Sequence, residues 1–440
     1  MIIDVSESNL PAIKNRKLRA NAELYVRIYQ DFMEQVRQMG VAVEEQDDGK
    51  VVQARLKALG KKGARLRNNN HSVSVKQVSS ACKACRTGVG SATFFVSLQC
   101  HRDCFYCFNP NQEHYQHFRE HPRDTVAELR NLLASGNRVG HLALTGGEPL
   151  LHKEETIRFF QAARQDYPDV HTRLYTCGDH LERETLQALK GAGLNEIRFS
   201  IRMQDGPPAR ELTYRNIALA GEYIPQVMVE MPVLPGTLDE MKSILLKLDK
   251  LGVYSINLLE LCFPLHNAAA FRERGYMIKA RPYQVLYDYW YAGGLPVAGS
   301  EAICLELVDF ALEEQLQMGV HYCSLENKHT GQVYQQNSTS VVPATSYFSQ
   351  RDFFLKSAKV FGEDVPPVKA VFDAKGYSGY RHDEELETLE FHVNKIKLLR
   401  ELGVEVGIST GVCEIRGGEG VLRELRLDVT TPQTFKLSEV

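Results

Sequence analysis

Five of the ten cysteines in this 440-residue chain fall between positions 82 and 107, and three of them stand as Cys100-x3-Cys104-x2-Cys107. No other feature restricts the fold as strongly. A structural cysteine is usually buried and solitary, so thiols gathered this tightly point to a metal. One loop carrying three thiolates can wrap one compact cluster. Closed structural zinc sites take four ligands, and ordinary iron–sulfur clusters take four cysteines. Three thiolates therefore leave one position open for a small molecule. A zinc knuckle that borrows a distant fourth ligand is the plainer alternative.

A reducing compartment keeps such thiols available, and the rest of the chain agrees with one. The start, Met1-Ile2-Ile3-Asp4-Val5-Ser6-Glu7, has no basic region followed by an apolar stretch, so no secretory signal is expected. No run of about 18 apolar residues occurs, so no transmembrane helix is expected. A cytoplasmic protein is the default reading. Lys and Arg number 52 against 55 Asp and Glu, a net charge of −3. That balance disfavours a nucleic-acid-binding module built on zinc or iron–sulfur. Hydrophobic residues at 43% and charged residues at 24% are ordinary for globular chains.

The cysteine loop has a context. Ala92-Thr93-Phe94-Phe95-Val96-Ser97-Leu98 reads as a strand, and the loop leaves its C-terminal end. A second strand, His141-Leu142-Ala143-Leu144-Thr145, ends in Gly146-Gly147-Glu148-Pro149. Paired glycines at a strand end let backbone approach a ligand closely. Further strands, near 173–176, 196–201, 227–231 and 255–259, alternate with helical stretches. That rhythm predicts a parallel sheet, with functional residues at the C-terminal strand ends.

In their order and distance, the two motifs resemble the radical SAM superfamily. The resemblance implies a partial (β/α)6 barrel, a 4Fe-4S cluster on Cys100, Cys104 and Cys107, and S-adenosylmethionine on the remaining iron. It implies that Tyr106 lies near adenine and that the Gly146-Gly147-Glu148-Pro149 backbone meets the methionine amino group. Ser200 and Arg202, closing the fourth strand, match positions that meet the ribose or carboxylate. A narrower resemblance, over about residues 80–330, is to an uncharacterised group related to pyruvate formate-lyase activating enzymes. Phe108 departs from that group, which commonly has proline there. The implied reaction is reductive cleavage of S-adenosylmethionine to a 5′-deoxyadenosyl radical that abstracts hydrogen from an unidentified substrate. That substrate is a small molecule, or a peptide or protein partner activated as a glycyl radical. A reductant such as flavodoxin or ferredoxin is the implied partner. No catalytic acid or base is assigned.

Four segments are expected: a helical, partly basic N-terminal extension (1–80), the barrel (81–330), a connector (331–363) and a small α/β appendage (364–440). Arg55, Lys57, Lys61, Lys62, Arg65 and Arg67 read as a solvated basic face, with a dock for an acidic partner or nucleic acid as the alternative. Residues 267–293 are rich in Tyr and Arg and hold the only tryptophan, Trp290. Glu385 to Leu402 has helical spacing, with Gly403 as its stop. Cys82-x2-Cys85 is a second metal candidate, for zinc or part of a second iron–sulfur cluster, with His321 and Cys323 as further ligands. Cys262 and Cys304 are alternates, and a redox thiol pair at Cys82 and Cys85 is the competing reading.

Overall fold

The computed structural model describes residues 1–136, 138–280, 294–416 and 419–440. Trp290 and the rest of residues 281–293, the latter part of the Tyr- and Arg-rich stretch, lie outside the described residues. The chain forms two compact units, Met39–Gly331 and Met1–Gln38 with Gln332–Val440. No helix among the described residues is long and apolar enough to cross a membrane.

The larger unit is built on a nine-stranded sheet. In chain order its strands are β1 (Arg65–Arg67), β2 (Ser72–Val75), β3 (Ser91–Phe95), β4 (His141–Thr145), β5 (His171–Thr176), β6 (Glu196–Phe199), β7 (Gln226–Val233), β8 (Ser255–Glu260) and β9 (Gly319–Cys323). Their spatial order is β1-β2-β9-β8-β7-β6-β5-β4-β3. The run β3 to β9 is parallel, as its crossover helices require. Among the described residues the edge strands β1 and β3 do not pair with each other, so the sheet stays open.

The sheet has one apolar and one polar face. Leu174, Ile197, Phe199, Val229, Ile256, Leu258 and Val320 point to the helices and form the main core. Successive side chains alternate across a strand, so their neighbours Arg173, Tyr175, Glu196, Arg198, Glu230, Asn257 and His321 share the other face. Ordinary parallel strands are apolar on both faces. Here the inner face carries a hydrogen-bonded charge network. Arg198 joins Glu196 to Glu230, Glu230 accepts from Asn257 at 2.7 Å, and Ser79 donates to Glu196 at 2.6 Å.

Glu196 is fully buried and makes the network pH-sensitive. Burial by itself raises its carboxyl, but Arg198, His171 and Ser79 outweigh that and hold it down to about 2. A carboxylate held down by the fold stabilises it above its unfolded value near 4.5, and that contribution is lost as pH falls through about 2. The contribution is on the order of 3 kcal/mol. Glu196→Gln is therefore expected to be less stable at neutral pH and to flatten the stability loss between pH 4.5 and 2. Urea unfolding at stepped pH measures this, and an unchanged slope would contradict it.

Several expectations are corrected by this topology. Residues 1–80 are not one extension: the first 38 belong with the C-terminal unit, while 65–75 supply β1 and β2 to the main sheet. Gly319–Cys323 is the seventh parallel strand of the sheet. In the basic stretch Lys57, Lys61 and Arg65 are exposed, as a solvated face requires, while Arg55 and Lys62 make ion pairs. Helix Gly49–Lys62 pairs with the acidic helix Ser300–Glu313, through Arg55 to Glu306 at 3.5 Å and Lys62 to Asp309 and Glu313.

In the smaller unit, strands β10 (Leu355–Phe361), β11 (Tyr380–Asp383), β12 (Thr388–Phe391), β13 (Val406–Arg416) and β14 (Glu419–Thr430) lie in the order β11-β12-β10-β13-β14. Helix Val365–Ala374 covers one face through Val368 and Phe372. Leu18 and Ala22 of helix Arg16–Gln38 pack against Phe361, Leu427 and Val429. The helix expected over Glu385–Leu402 is absent. Leu389 and Phe391 bury at a period of two in β12, followed by a tight 3-10 turn over Val393–Leu399. Pairing on both sides of β12 overrides helical propensity there. Part of the expected connector is the helix Leu325–Ser338.

Candidate active site at the strand ends

The cysteine loop leaves β3 and is fixed by backbone bonds. Ser97 Oγ accepts from Gln99 N at 3.0 Å, and Cys107 N donates to Cys104 O at 2.9 Å, closing a turn. The ladder between β3 and β4 runs on past the strands. Gly147 N donates to Ser97 O at 3.0 Å, and Glu148 N to Gln99 O at 2.8 Å. The two segments approach so closely that only glycine fits. A Cβ on Gly147 would lie 2.7 Å from the Leu98 carbonyl carbon and closer still to Gln99 O. Gly146 has φ +132°, and a Cβ there would strike Ser97 O. Asn109 Nδ2 donates to Gly146 O at 2.7 Å, so the residues after Cys107 also clasp this motif.

Glu148 is almost fully buried, and its side chain serves the scaffold. Its carboxylate accepts from Leu150 N at 3.0 Å, Thr176 Oγ1 at 2.7 Å and Cys177 N at 2.7 Å. It thus joins the end of β4 to the end of β5. A second strap holds the cysteine loop. Asp179, just beyond β5, accepts from His101 Nε2 at 2.7 Å and pairs with Arg102. His101, Cys177 and Asp179 bring one ligand-type atom each within 4.8 Å of one another.

Arg202 follows β6. It pairs with Asp205 and directs Nη1 to Cys104 Sγ at 3.5 Å. Ser200 is exposed at the same strand end. Tyr106 packs edge-on against Phe105 at 4.9 Å, and burial followed by the Cys104 sulfur pushes its phenol upward. The structure thus brings Cys100, Cys104, Cys107, Tyr106, Arg202 and the two glycines to one end of the sheet. The sequence reading did not find the straps His101, Arg102, Asp179 and Asp205. Polar residues inside the cysteine motif and aspartates a few residues past the ends of β5 and β6 were the available signal.

The donor set suits a cluster. All three cysteines are unpaired and half-buried. Burial pushes the Cys107 thiol up to about 11, and the Cys104 and Cys100 sulfurs add to it. Among the described residues, His101, Cys177 and Asp179 are the one trio of His, Cys, Asp or Glu ligand atoms within 4.8 Å of one another.

The second group is only partly assembled. Cys82 Sγ accepts from Arg198 Nη2 at 3.3 Å and Asn257 Nδ2 at 3.2 Å. Cys323 Sγ accepts from Asn327 Nδ2 at 3.2 Å. His321 does not offer a free nitrogen to these sulfurs. Its Nε2 meets Ser72 Oγ at 2.8 Å and its Nδ1 meets Asn257 Oδ1 at 2.9 Å.

Residues 95–248 match the sequence profile of the radical SAM superfamily. A protein of Methanocaldococcus jannaschii named as a candidate glycyl-radical enzyme activating enzyme is 28% identical over 253 residues, covering 55% of this chain and 62% of that one. The GTP 3′,8-cyclase of Nautilia profundicola is 32% identical over 128 residues, covering 28% of this chain and 38% of that one. Streptococcus suis SuiB bound to S-adenosylmethionine superposes with a TM-score of 0.40 at 12% identity, covering 55% of this chain and 52% of that one. The chain spans less than two thirds of the length of each of the three.

Proposed function

From the premise that this chain is a radical SAM protein, its domain lying over residues 95–248, we propose that it cleaves S-adenosylmethionine reductively and uses the product radical to abstract hydrogen from a substrate. Radical SAM proteins use a 4Fe-4S cluster and S-adenosylmethionine, which together supply one-electron cleavage to a 5′-deoxyadenosyl radical. The observation that carries the reading is the trio Cys100, Cys104 and Cys107, set beside a Gly146-Gly147 backbone that approaches their loop too closely for any side chain.

The chain's own residues position and shield. The three cysteines would hold the cluster, leaving one position free of protein. Arg202 places its guanidinium against Cys104 Sγ at 3.5 Å. Asp179 and Glu148 hold the loop and the glycine motif against β5. Exposed Ser200 and half-buried Tyr106 are the polar groups offered to the nucleoside. The activating-enzyme relative supports a protein substrate carrying the target glycine, and the cyclase relative supports a small molecule. A flavodoxin or ferredoxin would deliver the electron, and ten unpaired cysteines suit a reducing cytoplasm.

Anaerobic reconstitution with iron and sulfide, followed by dithionite and S-adenosylmethionine, tests the reading. The expected result is 5′-deoxyadenosine well above a protein-free control. Iron-loaded, reduced protein that forms none would overturn it.

A further inference from the structure

Cys82 sits on the short helix Ser80–Ala84, which Cys85 caps and which lies against the polar face of the sheet. Nothing in the proposed reaction uses them. Asn257 on β8 donates to Cys82 Sγ and stands in register with His321 on β9. Cys323 lies two residues beyond His321, on the same face of β9. The helix beginning at Leu325 closes over the group. A Cβ on Gly331 would stand only 2.6 Å from the Cys85 carbonyl oxygen, and Asn327 donates to Cys323 Sγ. Cys323 is pushed up to about 12 by burial, and the Cys85 and Cys82 thiols are close enough to add to this. Three thiols from two distant stretches of chain thus lie on the same polar side of the sheet.

We propose that Cys82, Cys85 and Cys323 hold a second iron–sulfur centre on this inner face, separate from the Cys100–Cys107 loop.

The surroundings fit an anionic, thiolate-bound occupant. Arg198 and Asn257 donate to one sulfur and Asn327 to another. The Lys328 ammonium acts on both Cys85 and Cys323. Arg173 is 7% exposed, its charge reaches Cys85, and its Nε is buried without a hydrogen-bond partner. A buried, incompletely paired guanidinium is costly unless an anion faces it. Thiolate-ligated clusters carry net negative charge and are tuned by hydrogen bonds to their sulfurs. His321 acts as a positioning residue, holding Asn257 toward Cys82. Among the described residues the three sulfurs do not come within 4.8 Å of one another as a set.

The test uses the full chain, reconstituted anaerobically, with iron, sulfide and zinc measured per chain. A Cys100→Ala/Cys104→Ala/Cys107→Ala variant removes the loop ligands and reads the second centre alone. It is expected to retain iron and acid-labile sulfide, up to about four of each for a cubane. Cys82→Ser/Cys85→Ser is expected to lose that portion and keep the iron of the loop. Cys323→Ala, a small buried change, is expected to lower it as well, with the thermal transition recorded for every variant as the check on folding. Three results would overturn the proposal: a folded loop variant with no iron or sulfide, Cys82→Ser/Cys85→Ser with wild-type iron, or zinc without sulfide in the loop variant. The loop variant lacks every ligand used for S-adenosylmethionine cleavage, so failure here is distinct from failure of that function.

Discussion

Gly147→Ala is expected to lower 5′-deoxyadenosine formation by roughly 100-fold while leaving most of the fold in place. The new Cβ would collide with Gln99 O and stand 2.7 Å from the Leu98 carbonyl carbon. Both are backbone atoms, so no side chain can swing aside. The two segments must part, which weakens the bonds from Gly147 N to Ser97 O and from Glu148 N to Gln99 O. Gln99 directly precedes Cys100, so the shift enters the cysteine loop. A displacement near 1 Å costs about 10²-fold where reacting groups must be aligned. Gly191→Ala is the matched control, because nothing lies within 4 Å of a Cβ at that helical position. It is expected to be neutral or slightly stabilising. Product measured by chromatography alongside iron content checks both variants. Full activity in Gly147→Ala would contradict the close approach as a functional requirement.

Cys104→Ala is expected to remove product formation altogether, with loss of at least ~10³-fold, the scale reached when an indispensable catalytic group is deleted. Iron should fall by about four per chain, the content of one cubane. The thermal transition should move little, because Cys104 is only half-buried and its removal opens no core cavity. Arg202 would lose its sulfur neighbour but keep Asp205. Wild-type iron and product in this variant would sink the cluster assignment. Product lost with iron retained would place Cys104 in chemistry and not in ligation.

The cysteine loop, the glycine pair and the parallel strands were legible because each is local. Spacing within eight residues, a strand-end turn and a period-two pattern need no knowledge of the rest of the chain. The polar inner face was written in the same code. Glu196-Ile197-Arg198-Phe199 alternates charge with apolar bulk, the signature of a strand with one buried polar side. The sequence reading treated such runs only as strands. Other features depend on distant partners. Helix Arg16–Gln38 packs on Leu427 and Val429, some 400 residues away in sequence, which no local signal marks. Leu389, Phe391, Val393, Ile396 and Leu399 satisfy strand, 3-10 and helical spacings in turn. Pairing with Tyr380–Asp383 and Leu355–Phe361 decided among them. His321 looked like a ligand by alternation with Cys323, but both its ring nitrogens are taken by Ser72 and Asn257.

The most direct test is the electron paramagnetic resonance spectrum of the reduced Cys82→Ser/Cys85→Ser protein, recorded with and without S-adenosylmethionine. In that variant the loop cysteines are the remaining cluster site. A cluster held by three protein thiolates has an iron free to bind the added molecule, so its signal should shift on addition and vanish in a further Cys104→Ala variant. A strong cluster signal left unmoved by saturating S-adenosylmethionine would mean that the fourth position is already filled, contradicting radical chemistry at Cys100, Cys104 and Cys107.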